Sequence, residues 1–210
     1  MLTLYHCAGA RSFRVLWTLE EMGLDYSLTM MPFPPRARQH GYLDINPLGT
    51  VPTFTDDAVL MTESSAICHY LATKYGPSPL AVTPGEAGYA AYLNFLVMGE
   101  ATLTFPQTIY LRYAMFETPE RRLPQAAADY TQWFASRLKA AATLLGPRYA
   151  AADRFTAADI SFGYAIKLAN AIGLAATVPD SVQAYWEQLR QRPALLRAEA
   201  AETNATGAAA

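Results

Sequence analysis

Apolar runs typical of β-strands occur only in the first third of this chain, whereas the rest has helical periodicity. The boundary is the proline and glycine cluster at 76–79, the segment whose composition most resembles a linker. Before it, the pattern predicts strand, helix, strand, loop, strand, strand and helix; after it, no strand alternation is evident. The sequence therefore predicts two domains, an α/β domain at 1–76 and an all-helical domain at 85–210.

The first domain begins with a β-α-β unit. Leu2–Tyr5 is a short apolar strand, and the helix after it has Ser12 as its expected N-cap and Gly23 as its left-handed C-cap. Asp25–Met30 is the second strand. A helical crossover of this length allows the two strands to lie parallel.

A proline-rich loop over 31–50 follows and ends in the turn Asn46–Gly49. Val51–Phe54 and Val59–Met61 then form two strands of an antiparallel hairpin, and Glu63–Ser65 begins a helix. Together these elements complete a β-α-β-β-α order.

The second domain is predicted to contain helices over 86–115, 123–146, 157–171 and 180–203, the last broken at Pro193. Its strongest local signal is Thr156, an expected N-cap with Asp159 three residues later, where a capping box has its acidic or amide partner. This pattern concerns folding only.

Composition excludes several classes of protein. With 210 residues, 52% apolar, 16% charged and a net charge of −2, the chain can bury a core and is no phosphate-neutralising nucleic-acid binder. Cys7 and Cys68 are too few for a disulfide framework or a four-ligand zinc site, and we expect no metal. No apolar run reaches the ~18 residues of a membrane span, so we expect a cytoplasmic protein without membrane partners.

Four motifs, in this order, carry a resemblance to a known family: Arg11–Trp17, Asn46–Pro52, Glu63–Ile67 and Phe155–Ile160. The chain resembles the cytosolic glutathione transferases. The resemblance implies a thioredoxin-like N-terminal domain, a helical C-terminal domain, glutathione as co-substrate and a homodimer.

The stretch Leu4–Gly23 is similar to the start of the bacterial beta-class enzymes. That resemblance places Ser12 on an active-site serine and puts Arg11 where those enzymes have a cysteine. A mixed disulfide through that position is therefore not available to this chain. The role of Cys7, at the end of the first strand, stays open.

The chemistry of a thiol explains why a hydroxyl at a helix start is of interest. A thiol with a pKa of about 8.5 is only a few per cent ionised at pH 7, and the thiolate is the nucleophile. Lowering that pKa by two units requires about 2.7 kcal/mol. A hydroxyl donor combined with a helix N-terminus supplies a stabilisation of this size. We therefore expect Ser12 to be the catalytic residue.

The resemblance also assigns residues to the rest of glutathione. It implies a cis bond between Val51 and Pro52, which presents the Val51 backbone to the cysteinyl part. Glu63 and Ser64 would bind the γ-glutamyl end. The glycyl carboxylate requires a cation, for which Arg38 and His40 are candidates. Arg11 would add positive potential near the sulfur. The expected glutathione-binding residues are therefore Arg11, Arg38, His40, Val51, Pro52, Glu63 and Ser64.

A hydrophobic electrophile would be the second substrate. The aromatic stretch around Phe105, Tyr110 and Tyr113 is the expected contact for it. Two other functions remain open: a glutathione-dependent disulfide or peroxide reductase, and a non-catalytic adaptor with the same fold.

Overall fold

The computed structural model describes residues 1–208 and divides into two compact units. The first unit comprises Met1–Ala81 together with the segment from Arg190, and the second comprises Val82–Leu189. The predicted domains, 1–76 and 85–210, differ from this division at the C-terminus. The last helix of the chain belongs with the first unit.

The first unit is built on a four-stranded mixed sheet in the order β2-β1-β3-β4. Its strands are β1 (Leu2–His6), β2 (Tyr26–Met30), β3 (Thr53–Asp56) and β4 (Val59–Met61). β1 pairs parallel to β2 and antiparallel to β3, with Leu4 opposite Leu28 and Phe54. The predicted parallel crossover and the predicted β3–β4 hairpin are both confirmed.

Five helices accompany this sheet: α1 (Phe13–Met22), α2 (Pro35–Arg38), α3 (Tyr42–Ile45), α4 (Ser64–Lys74) and α10 (Pro193–Ala208). α1 packs against both α4 and α10. Apolar residues on two sides of α1 explain this, since Phe13, Leu16 and Leu19 are all fully buried. The thioredoxin-like β-α-β-β-α arrangement is confirmed, with two short helices in the segment predicted as a loop.

The second unit is helical, as predicted, with α5 (Tyr89–Met98), α6 (Phe105–Leu111), α7 (Pro124–Ala142), α8 (Ala157–Ala171) and α9 (Asp180–Leu189). Two π-helical turns, Gly99–Thr104 and Arg112–Phe116, flank α6. α5 packs closely on α8. Within residues 1–208, no helix has the length and apolarity needed to cross a membrane.

The start of α8 has the predicted capping box. Thr156 Oγ1 accepts from the Ala158 N–H at 3.3 Å, and Asp159 Oδ2 accepts from the Thr156 N–H at 2.7 Å. The left-handed Gly23 at the end of α1 is also as predicted, with φ 61°.

Ser12 is the N-cap residue of α1, as predicted, but it does not cap the helix with its side chain. The Ser12 side chain makes no capping hydrogen bond, and its backbone is already helical at φ −58° and ψ −19°. Its hydroxyl lies 2.8 Å from His6 Nδ1 instead.

Candidate functional site

The N-termini of α1 and α4 are joined by a buried arginine. Arg14 is fully buried, and its Nη1 donates to Ser64 Oγ at 3.1 Å. Ser64 is the first residue of α4 and is 3% exposed. The two helix starts, each with N–H groups that lack acceptors within the helix, therefore lie side by side.

The turn before β3 is held by a network of buried polar side chains. Asn46 Nδ2 donates to the Thr50 carbonyl and to Thr53 Oγ1, both at 2.9 Å. The Tyr42 hydroxyl donates to the same Thr50 carbonyl at 2.7 Å and lies 2.6 Å from Thr53 Oγ1. This network fixes the backbone immediately before Val51.

Val51 lies beside the loop between β1 and α1. Both Val51 and Ala10 pack on a small buried cluster of Cys7, Met31 and Tyr42. The Val51–Pro52 peptide is cis. Among the described residues, the backbone N–H and C=O of Val51 have no hydrogen-bond partner. This backbone is therefore available to pair with an extended peptide.

Glu63 precedes α4 and is exposed. Its side chain does not cap the helix, and within residues 1–208 its carboxylate has no ion-pair or hydrogen-bond partner. An exposed carboxylate next to the N–H groups of a helix start places an amine acceptor beside an anion site.

Ser12 does not face the exposed side of the loop. The residue is fully buried, and its Oγ lies 2.8 Å from His6 Nδ1 and 3.4 Å from the Cys7 backbone N–H. A hydroxyl without exposed surface has no direct contact with a sulfur atom delivered from solvent in this arrangement. The exposed part of the loop is Ala8 and Gly9, with Ala10 and Arg11 half-buried.

Cys7 is unsuited to nucleophilic chemistry here. It is 1% exposed, and burial raises the pKa of its thiol to about 11. Reactive cysteines have lowered pKa values and accessible sulfur atoms. Cys7 therefore acts as a packed apolar residue.

Arg38 and His40 line an open depression together with Arg36 and Asp44. Arg36, Arg38 and His40 are all exposed. The depression adjoins the turn before Val51, because a Cβ placed on Gly49 would lie 2.6 Å from Arg36 Cβ. Arg36 is a further cation beside the two candidates from the sequence, Arg38 and His40.

The aromatic residues predicted for the second substrate belong to the second unit. Phe105 is 48% exposed, whereas Tyr110 and Tyr113 are half-buried. Phe105 packs edge-on against Tyr130, with ring centroids 6.2 Å apart. The Arg112 guanidinium lies 5.4 Å from the Tyr113 ring centroid.

Two residues at the site, His6 and Glu202, were not identified from the sequence. Arg14 lies in the first turn of α1, where the sequence suggests a solvated arginine that adds positive potential beside Ser12, and its burial against Ser64 is not predicted. His6 and Glu202 are 196 positions apart, so no local spacing connects them. Within residues 1–208, no group of three or more His, Cys, Asp or Glu side chains is arranged to hold a metal ion.

Comparison with known proteins agrees with this architecture. Residues 9–74 match the family model "Glutathione S-transferase, N-terminal domain". Glutathione S-transferase 3 of Zea mays is 30% identical over 197 residues, which cover 90% of this chain and 88% of that protein. This chain belongs to the glutathione S-transferase family.

Two further relatives fit the family assignment. Glutathione S-transferase 3 of Schizosaccharomyces pombe is 33% identical over 103 residues, which span 49% of this chain and only 43% of that protein. The solved structure of a sphingomonad glutathione S-transferase complexed with glutathione has a TM-score of 0.81 and 26% identity, and the match covers 96% of this chain and 98% of that one. The family predicted from the four motifs is confirmed.

Proposed function

We propose that this glutathione S-transferase family member binds reduced glutathione on its first unit and directs the glutathione thiolate at a hydrophobic electrophile. The observation that carries the proposal is the Val51 backbone, which has no hydrogen-bond partner within residues 1–208 and lies beside the loop Ala8–Arg11. The exposed carboxylate of Glu63 at the start of α4, which Arg14 joins to α1, supports it.

The three parts of glutathione match three kinds of group at this site. The cysteinyl backbone pairs with the N–H and C=O of Val51, next to Pro52, in the way that an added strand pairs with a sheet edge. The γ-glutamyl carboxylate binds at the start of α4 near Ser64, and its amine donates to Glu63. The glycyl carboxylate takes a cation from the loop that carries Arg38 and His40.

The sulfur then lies over the loop Ala8–Arg11, at the N-terminus of α1. The helix terminus supplies about 0.3–1 kcal/mol of stabilisation to an anion, which is part of the ~2.7 kcal/mol that a two-unit fall in the thiol pKa requires. Arg11 adds positive potential on the same loop.

Ser12 supports this loop from its buried side. Because its Oγ is buried against His6, we assign it to the support of the loop in place of the direct contact with sulfur expected from the sequence. The hydroxyl still contributes to catalysis, since misplacement of a reacting group by about 1 Å costs up to ~100-fold in rate.

The reaction is a nucleophilic substitution or addition. With an aryl or alkyl halide, the sulfur lone pair forms a C–S bond, and the halide leaves with the electrons of the carbon–halogen bond. The thiol proton passes to solvent when the thiolate forms. Phe105, Tyr110 and Tyr113 are the proposed apolar and orienting contacts for the electrophile.

A Glu63→Gln variant tests the binding assignment. Because the amide lacks the charge that pairs with the glutathione ammonium, we expect KM for glutathione to rise about 10-fold with kcat within about twofold, a loss of ~1.4 kcal/mol in binding. The matched control is Asp25→Asn, another exposed carboxylate of the first unit, which leaves KM unchanged. An unchanged KM in Glu63→Gln would remove this residue from the site.

The two alternative functions are separated by simple assays. A glutathione-dependent disulfide or peroxide reductase that used Cys7 is not favoured, because Cys7 is buried with a raised thiol pKa. A non-catalytic adaptor would fail to turn over any halide, epoxide or peroxide in the presence of glutathione. A homodimer and a cytoplasmic location stay predictions.

A further inference from the structure

A chain of short contacts links the last helix to the loop under the proposed sulfur site. His6 Nε2 lies 2.9 Å from Glu202 Oε1, and His6 Nδ1 lies 2.8 Å from Ser12 Oγ. The same Glu202 oxygen accepts the Gly9 backbone N–H at 2.8 Å. His6 is fully buried, and the Glu202 side chain is 16% exposed.

The chemistry of these groups fixes the direction of the hydrogen bond to Glu202. A carboxylate only accepts, so His6 Nε2 carries a hydrogen and donates to Glu202. In the neutral imidazole, Nδ1 is then an acceptor and takes the Ser12 hydroxyl hydrogen. Ser12 Oγ accepts in turn from the Cys7 N–H.

The order serine, histidine, carboxylate resembles that of a hydrolytic triad, but Ser12 cannot act as a nucleophile because it is fully buried. What the chain of contacts does instead is hold both ends of the loop. Gly9 is held directly by its N–H, in a left-handed conformation of φ 69° that glycine adopts without strain. Ser12 is held through His6.

Ion pairs that do not involve Glu202 join α10 to α1. Arg192 donates twice to the Glu21 carboxylate, at 2.6 and 2.8 Å, near the other end of α10. Farther along, Arg197 donates to Glu20 Oε2 at 2.8 Å. These pairs fasten α10 along α1 through groups other than those that Glu202 contacts.

We propose that Glu202 is a positioning residue for the loop Ala8–Arg11, which it holds through the Gly9 N–H and through His6 and Ser12. The inference rests on the proposed function, because it assigns this loop to the glutathione sulfur. Glu202 does not touch the substrate. It sets the position of the groups that do.

Two substitutions of Glu202 separate positioning from charge. Glu202→Ala removes the acceptor of both Gly9 and His6, and we expect kcat with glutathione and an aryl halide to fall 10- to 100-fold, the range for a small misplacement of reacting groups. KM for glutathione changes less than about threefold, because Val51, Glu63 and Arg38 are untouched. Glu202→Gln keeps one carbonyl oxygen for both donors and restores kcat to within about threefold of the wild type.

The matched control is Arg192→Ala. This variant removes the doubly bonded ion pair that fastens the same helix to α1 but leaves the Gly9 contact in place. It lowers the midpoint of thermal unfolding while kcat per folded molecule stays within about twofold of the wild type. Amide hydrogen exchange at Gly9 provides a readout independent of turnover: protection falls in Glu202→Ala and is retained in Glu202→Gln and Arg192→Ala.

Two results would overturn the proposal for Glu202. One is a Glu202→Ala variant with wild-type kcat and wild-type protection of the Gly9 amide. The other is an equal loss of kcat in Arg192→Ala, which would show that the loss follows from weaker packing of α10 on α1 and not from the contacts of Glu202. Failure of the proposed function has a different signature. In that case the wild-type chain itself neither binds glutathione nor turns over the halide.

Discussion

The N-cap residues of α1 and α8 are both small hydroxyl residues, and their two hydroxyls do opposite things. Thr156 at the start of α8 caps its own helix, and its partner Asp159 is three residues away. Ser12 at the start of α1 caps nothing, and its hydroxyl binds His6, which in turn reaches Glu202 on the last helix. The Thr156 hydroxyl bonds to its own helix, as an N-cap side chain ordinarily does, and serves the fold. The Ser12 hydroxyl does not, and it lies in the region that we assign to function.

The largest effect is expected at Asp159, on the structural side of this comparison. Its buried carboxylate accepts from the Ala150 and Thr156 N–H groups and from the Tyr185 hydroxyl, although burial still raises the pKa of the Asp159 carboxyl. Asp159→Ala leaves several buried donors without an acceptor. We expect it to lower the free energy of unfolding by about 3–5 kcal/mol, measured by urea denaturation.

Asp129→Ala is the control for this loss. Asp129 is an exposed aspartate of α7 in the same unit, and its removal changes the free energy of unfolding by less than about 0.5 kcal/mol. A loss of catalytic activity in Asp159→Ala protein that is still folded would contradict the assignment of the α8 start to folding and the α1 start to function.

Ser12→Ala is the next largest test and lies on the functional side. Removal of the hydroxyl leaves His6 Nδ1 without its partner in the loop, so we expect kcat with glutathione and an aryl halide to fall about 10-fold, or ~1.4 kcal/mol in the activation barrier. Ser136→Ala, which alters an exposed serine of α7, leaves kcat unchanged. Wild-type turnover in Ser12→Ala would show that the contact with His6 has no bearing on the reaction.

The smallest effect is expected for Thr156→Ala. Loss of an N-cap side chain costs about 1 kcal/mol of stability, and the Thr156→Ser variant, which keeps the hydroxyl, recovers most of it. Turnover per folded molecule stays at the wild-type level in both variants. A fall in kcat comparable to that of Ser12→Ala would contradict the assignment of Thr156 to folding alone.

Much of the fold was predictable because its signals are local. The β-α-β unit, the hairpin of β3 and β4, the left-handed Gly23 and the box at Thr156 each depend on residues within about 30 positions of one another. Short helices such as α2 and α3 were missed, because four residues are too few to show a helical period.

The site was predictable only in part, because its decisive contacts join distant positions. The family motifs predict Val51, Glu63 and Ser64 as glutathione-binding residues, and the structure adds the buried Arg14, which joins the start of α1 to Ser64. The direction of the Ser12 hydroxyl depends on His6 and thus on a residue in the last helix. Nothing in the spacing of the chain reveals that helix α10 belongs with the first unit.

A crystal structure of the protein with reduced glutathione tests the central claim most directly. The account predicts that the cysteinyl backbone pairs with the N–H and C=O of Val51, that the sulfur lies nearest to residues 8–11, and that Ser12 Oγ remains hydrogen-bonded to His6. A sulfur bonded to Ser12 Oγ with the His6 contact broken, or a tripeptide bound away from Val51, would contradict it.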